Sequence, residues 1–218
     1  MKTDKVYNLI ILDESGSMSS IQQATINGFN EVVQTIKGIE QKFSEQQHFI
    51  SLVSFNGLGI KTLLDKTPVA SLKQIDPNTY HPDSMTPLYD AIALSVIKLK
   101  LDVAGIENVN VLVTILTDGE ENASKEFSHS QVNSIINEQK NHGWTFTYIG
   151  ANHDVERVAH SISIVNTMHF MADENLMKHT FAKESKAREY YSQKIREKKD
   201  TQNNFYDEDG KASEEDKS

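Results

Sequence analysis

Five oxygen-bearing side chains, carried on three stretches far apart in the chain, are of the types a hard cation needs. Asp13, Ser15 and Ser17 lie in Asp13-Glu14-Ser15-Gly16-Ser17, Thr86 in Met85-Thr86-Pro87-Leu88, and Asp118 in Thr117-Asp118-Gly119-Glu120. Carboxylates and hydroxyls are hard donors, and Mg²⁺ takes oxygen ligands in near-octahedral array at ~2.0–2.1 Å. None of these loops holds a His or Cys that would draw a softer metal. Asp13 and Asp118 together balance a divalent charge, and the hydroxyls add coordination without charge. An ion whose carboxylates act through water stays electrophilic. A position left to solvent would then accept an acidic group from another molecule, which is binding chemistry rather than turnover.

Such a cage requires elements that bring the three stretches to one place. Val6-Tyr7-Asn8-Leu9-Ile10-Ile11-Leu12 is an apolar run, broken only by Asn8, that stops at Asp13. It suits a strand buried on both faces. A helix capped by Ser19 or Ser20 is predicted to about Phe43, its Gly28 allowing close packing against a sheet. Strands are predicted over His48 to Phe55 and, antiparallel after Asn56-Gly57, over Ile60 to Leu64. Thr86-Pro87 opens a helix, with Thr86 as N-cap and Pro in the first turn. Val109 to Thr117 reads as a central strand ending at Asp118-Gly119. A helix over Ser130 to Asn141, a strand over Trp144 to Ile149 with the turn Gly150-Ala151-Asn152, a short helix capped by Asp154 and a strand over Thr167 to Met171 follow. A long helix from Glu174 to about Lys199 has Phe181, Ala187, Tyr191 and Ile195 on one face and charges on the other.

Strand and helix alternate, which predicts a three-layer α/β fold of Rossmann-like kind. The open sheet is mostly parallel, with one short antiparallel edge strand and helices on both faces. Ligands of such sheets bind beyond the carboxyl ends of the strands. Asp13 and Asp118 both fall there, and they meet if their strands are neighbours.

At this point the sequence resembles a known family. Asp13-Glu14-Ser15-Gly16-Ser17 matches the Asp-x-Ser-x-Ser signature of von Willebrand factor A domains. Thr86 in Met85-Thr86-Pro87-Leu88-Tyr89-Asp90-Ala91-Ile92 and Asp118 in Thr117-Asp118-Gly119-Glu120 resemble the family's second and third metal motifs. The likeness spans residues 4 to 195 by element order. It implies that Asp13, Ser15, Ser17, Thr86 and Asp118 form a metal-ion-dependent adhesion site. In it the serines and Thr86 contact the ion directly, and the aspartates act mainly through water or hydrogen bonds. The implied cation is Mg²⁺ or Mn²⁺, ahead of Ca²⁺. The implied partner is a protein that presents an Asp or Glu. One departure is that Ser84-Met85 stand before Thr86 where the family often has a glycine pair.

Other chemistries fit less well. A phosphohydrolase of the aspartyl-nucleophile type would use Asp13 but needs a second acid two residues on, and Ser15 cannot protonate a leaving group near neutral pH. No Gly-x-Gly-x-x-Gly or Gly-Lys-Ser/Thr loop marks a nucleotide site. His153-Asp154 lacks the further histidines of a second metal site, and Asp154 serves as a helix cap. The expectation is a binding module, not an enzyme.

The bulk composition agrees. The 218 residues carry a net charge of −9, which disfavours nucleic acid and anionic membranes as partners. There are no cysteines, hence no disulfides and no thiolate metal sites. The first apolar run is too short for a leader or a span, so a cytoplasmic location is expected. Mean hydropathy of −0.49 points to a solvated extension. We expect one domain over 1–199, including the long last helix, and a charged, disordered tail over 200–218. The oligomeric state is left open.

Overall fold

The apolar run that ends at Asp13 lies at the centre of a six-stranded sheet. In the computed structural model, which describes residues 3–206 apart from 73, 152 and 171–173 and the side chains of 174–177, the strands are β1 (Asp4–Asp13), β2 (Gln46–Asn56), β3 (Gly59–Pro68), β4 (Val109–Thr117), β5 (Thr145–Gly150) and β6 (Asn166–His169). Their order is β3-β2-β1-β4-β5-β6, and all neighbours are parallel except β2 and β3. β1 pairs with β4 from Lys5↔Val109 to Leu12↔Leu116, so Asp13 and Asp118 leave the same edge of the sheet. The antiparallel edge strand is ten residues long, twice the predicted span. A register shift near Leu52 lets it run on to Pro68 beside the far half of β2.

The helices α1 (Gln22–Lys42) and α5 (Glu174–Arg196) cover one face, and α2 (Leu88–Val103), α3 (His129–Asn141) and α4 (Val155–Ser161) the other. Successive residues on each strand divide between the two layers. Ile10, Leu12, Leu112 and Leu116 pack with α1 and α5, whereas Leu9, Ile11, Val113 and Ile115 pack with α2 and α3.

Helix starts depart from the sequence expectation. Neither Ser19 nor Ser20 caps α1, because a 3-10 turn over Gly16–Ile21 precedes it and Ser20 instead donates to the Ser17 carbonyl. α3 begins at His129, one residue before the predicted start, under a capping box made by Ser128 and Gln131. Asp154 does cap α4, accepting from the Arg157 N–H at 3.1 Å. The predicted Asn152 turn residue and the strand end at Met171 lie outside the described residues.

Gly28 packs against α5 and not against the sheet. A Cβ built there would lie 1.8 Å from the Phe181 ring. Gly28→Ala is therefore expected to destabilise the protein by about 2 kcal/mol, the overpacking strain outweighing the helix-propensity gain. Urea unfolding measures this, and adding Phe181→Leu should restore most of the loss.

The inner face of α5 is not purely apolar. Glu184 and Arg188 are both buried. Arg188 reaches Glu184 at 2.8 Å, the Asn8 side chain at 3.0 Å and the Thr114 hydroxyl at 2.7 Å. The polar Asn8 within the apolar β1 run is thus a partner for a helix-borne guanidinium. Beyond α5, the expectation of a solvated tail from Asp200 does not hold over 200–206. Phe205 and Tyr206 are buried, Thr201 meets the Thr145 hydroxyl, and Asn166 holds the Gln202 carbonyl and the Phe205 N–H. Residues 207–218 lie outside the described residues.

Candidate functional site at the carboxyl edge of the sheet

Asp13 closes β1 and is fully buried. Its carboxylate accepts the Ser15 N–H at 2.7 Å and the Thr117 hydroxyl at 2.6 Å, which ties the β1 end to the β4 end. Its main-chain carbonyl takes the Tyr80 hydroxyl at 2.6 Å. Burial raises the carboxyl pKa to about 6; the Thr117 and Ser15 hydrogen bonds oppose that rise, and nearby Asp118 adds to it. Asp118 is raised too, mainly by burial, against a hydrogen bond from Ser17. Two carboxylates are therefore held at one place where negative charge is disfavoured.

The hydroxyls converge on the same spot. Ser15 Oγ lies 3.2 Å from Ser17 Oγ, and Ser17 Oγ donates to Asp118 Oδ1 at 2.5 Å. A Cβ added at Gly119 would sit 3.4 Å from Thr86 Oγ1 and 3.8 Å from Ser17 Oγ, so Thr86 joins the group from a third loop. All five predicted residues are thus brought together. Ser17 is exposed and the other four are buried, which gives the cluster one open side. The other oxygen of Asp118, Oδ2, is buried with no hydrogen-bond partner among the described residues. No group of three or more His, Cys, Asp or Glu side chains among the described residues is placed to hold a metal, so a cation here would depend on hydroxyls. The donor set of two carboxylates and three hydroxyls fits a hard divalent ion, and the partnerless Asp118 Oδ2 is an acceptor that such an ion or its water would satisfy.

Thr86 is not the cap of α2. The helix starts at Leu88 with no side-chain cap at Pro87. Glu121 accepts the Tyr89 N–H at 2.8 Å, and the Ser124 hydroxyl accepts the Asp90 N–H at 3.1 Å. The N-terminus of α2 is thereby satisfied from the loop after β4. Asp90 returns the contact by accepting N–H groups from Lys125, Glu126 and Phe127. Asn122 exchanges two bonds with the Thr86 backbone, at 2.8 and 3.1 Å. These residues fix Thr86 relative to Asp118, and their spacing carries no signature that sequence reading would single out. The same holds for Glu14, buried at the site, whose carboxylate takes the His81 N–H at 2.6 Å and lies 3.5 Å from Lys61 Nζ. Ser84, which stands where the family often has glycine, has φ +67°. The loop keeps a glycine-type backbone at a cost of about 1–2 kcal/mol.

Fold and site together define an open α/β sheet with an oxygen-rich cluster at its carboxyl edge. The model for the von Willebrand factor type A domain matches residues 9–184, and the chain belongs to that family. A comparison with curated proteins finds no match. Among solved structures, the chain is similar to a von Willebrand factor type A protein from Catenulispora acidiphila (15% identity, TM-score 0.55, 84% of this chain and 42% of that one). It is similar also to the SpRpn10 VWA domain (10% identity, TM-score 0.57, 82% and 94%). A third neighbour is the manganese-loaded Plasmodium vivax TRAP protein (16% identity, TM-score 0.50, 83% and 73%). The chain thus spans less than half of the Catenulispora protein and nearly all of the SpRpn10 domain. At these identities the likeness is one of fold. Domains of this family often mediate protein–protein interactions through metal-dependent sites. No helix among the described residues is long and apolar enough to cross a membrane.

Proposed function

We propose that Asp13, Ser15, Ser17, Thr86 and Asp118 hold one divalent cation, Mg²⁺ or Mn²⁺, and that the ion grips an Asp or Glu carboxylate of a partner protein. The observation that carries this reading is the buried, partnerless Asp118 Oδ2 in a cluster that burial makes unfavourable for negative charge. A divalent ion relieves both conditions at once. Ser15, Ser17 and Thr86 would contact the ion, and the carboxylates would balance its charge through hydrogen bonds or water. The exposed Ser17 side is where the partner's acidic group would arrive. The manganese in the Plasmodium vivax TRAP neighbour supports a cation of this type in this fold.

A hydrolytic role for Asp13 is disfavoured by its surroundings. Both carboxylate oxygens are hydrogen-bonded, by Ser15 and Thr117, and the side chain is closed to solvent, so a substrate has no open approach to it.

Mg²⁺ at one hundred times its dissociation constant is expected to raise unfolding free energy by about 2.7 kcal/mol. Ser15→Ala and Asp118→Ala proteins should fold and show no such shift. Capture of a partner should be lost in a chelator and restored by Mg²⁺. A wild-type melting curve indifferent to saturating Mg²⁺ and Mn²⁺ would overturn the reading.

A further inference from the structure

The loops around the cluster differ on its two sides. On the β3 side stand Leu58, 72% exposed, and Met85, 55% exposed, two of the five large apolar side chains that are exposed among the described residues. The other three are Leu94 and Leu101 on α2 and Val165 before β6, away from this edge. On the β5 side stand Glu120, Asp154 and Arg157, with Arg157 bonded to Glu120 at 3.0 Å.

Leu58 and Met85 belong to one patch. A Cβ added at Gly57 would lie 2.4 Å from Ser84 Oγ, 3.0 Å from the Met85 nitrogen and 3.3 Å from Met85 Cβ. The β2–β3 turn therefore seats directly against the loop that carries Thr86, and a side chain at position 57 would push the two apart. The patch is also held rigidly to the site. The Asn56 side chain accepts the Leu58 N–H at 3.0 Å and donates to the Glu14 carbonyl at 3.2 Å. The Glu14 carbonyl also accepts the Asp83 N–H at 2.9 Å, and the Ser84 carbonyl accepts the Gly16 N–H at 3.0 Å. Ser84 is kept in a left-handed conformation to do so. Single exposed apolar residues are ordinary on protein surfaces. Two on adjoining loops, beside the cluster, on backbone pinned by hydrogen bonds, form a preorganised contact.

We infer that the partner segment recognised here carries, next to its acidic residue, an apolar side chain of the Leu, Ile, Met or Phe class that lies across Leu58 and Met85. This rests on the carboxylate reading and adds to it. The carboxylate would give the metal contact, and the apolar neighbour would give selectivity and exclude water from the ion's open side. A drier surround strengthens an ion–carboxylate contact. A fully solvated acidic residue with polar neighbours on that flank would leave the patch uncovered.

A displayed peptide library with one fixed Asp or Glu and randomised flanks, selected on the full chain in Mg²⁺ and eluted with chelator, tests this. The wild type is expected to enrich an apolar residue at one fixed offset from the acidic one. The Leu58→Ser/Met85→Ser protein should keep the full Mg²⁺-induced thermal shift, yet bind the selected peptides about tenfold to a hundredfold more weakly. Enrichment of acidic peptides with no apolar preference, or unchanged affinity in the double variant, would overturn the inference and leave the carboxylate reading standing. If nothing elutes with chelator and Mg²⁺ shifts no melting curve, the carboxylate reading fails and this inference falls with it.

Discussion

Without metal at pH 7, the Asp13→Asn protein should be more stable than wild type by about 3 kcal/mol. The Asp13 carboxyl titrates near 6 in the fold against 3.8 as its ordinary value. A carboxyl raised by burial favours the fold in its protonated form. Its stabilising contribution is fully present below 3.8 and is lost as pH rises through about 6. Over that interval the loss is about 1.4 kcal/mol per pH unit. Asparagine presents the neutral form at every pH. Its oxygen can accept from the Ser15 N–H as Asp13 does, and its amide can donate to Thr117 Oγ1. The Thr117 hydroxyl then keeps its alternative acceptor, the Gly119 carbonyl at 3.0 Å. The advantage of the variant should shrink as pH falls below 6 and vanish near 4, because wild-type Asp13 is then protonated as well. The variant should lose the Mg²⁺ shift, since one of the two balancing charges is gone. Urea unfolding from pH 4 to 7.5, with and without Mg²⁺, measures all three effects. A wild type more stable than Asp13→Asn in the metal-free state at pH 7 would contradict the argument. Function and stability oppose each other at this residue, as they do at many prepared sites.

Arg188→Ala is expected to destabilise the fold by about 3–5 kcal/mol, because it strands the buried Glu184 charge and removes hydrogen bonds to Asn8 and Thr114. Glu184 and Arg188 are 1% and 2% exposed in their side chains, so neither is rescued by water. Replacing both together, as Glu184→Leu/Arg188→Met, should be much milder, since apolar groups of similar size need no partner. Denaturant unfolding of Arg188→Ala and of the double variant separates pair energy from packing. Equal losses for Arg188→Ala and the double variant would show that packing alone dominates.

These residues mark where sequence reading succeeds and where it stops. The strands β1 and β4 are legible because a strand buried on both faces must be apolar throughout, and each run stops at the aspartate of interest. The cluster is legible because hard-cation chemistry admits few side-chain types. Arg188 and Glu184 are not legible, because an amphipathic pattern assigns every charge to the solvated face of α5. Asn8 registers only as an oddity until its partner, 180 residues away, is in view. Thr86 reads as a helix cap because capping rules consider the adjacent residue. The N–H groups of α2 are in fact met by Glu121 and Ser124, from more than 30 residues further along the chain. Phe205 and Tyr206 sit in a stretch whose composition is polar and charged, and two aromatic rings are too few to signal packing. The strain at Ser84 is visible only as a backbone angle.

The segment over 201–205 crosses the starts of β5 and β6, and β1 begins at Asp4 on that same side. Among the described residues, the start of β1 and the 201–205 segment therefore both lie opposite to Asp13, Thr86 and Asp118. An affinity handle, a fused reporter or a surface anchor joined at either point would stand a whole strand length from the cluster. Immobilised in that way, the protein would present its cation-binding end outward to whatever approaches from solution.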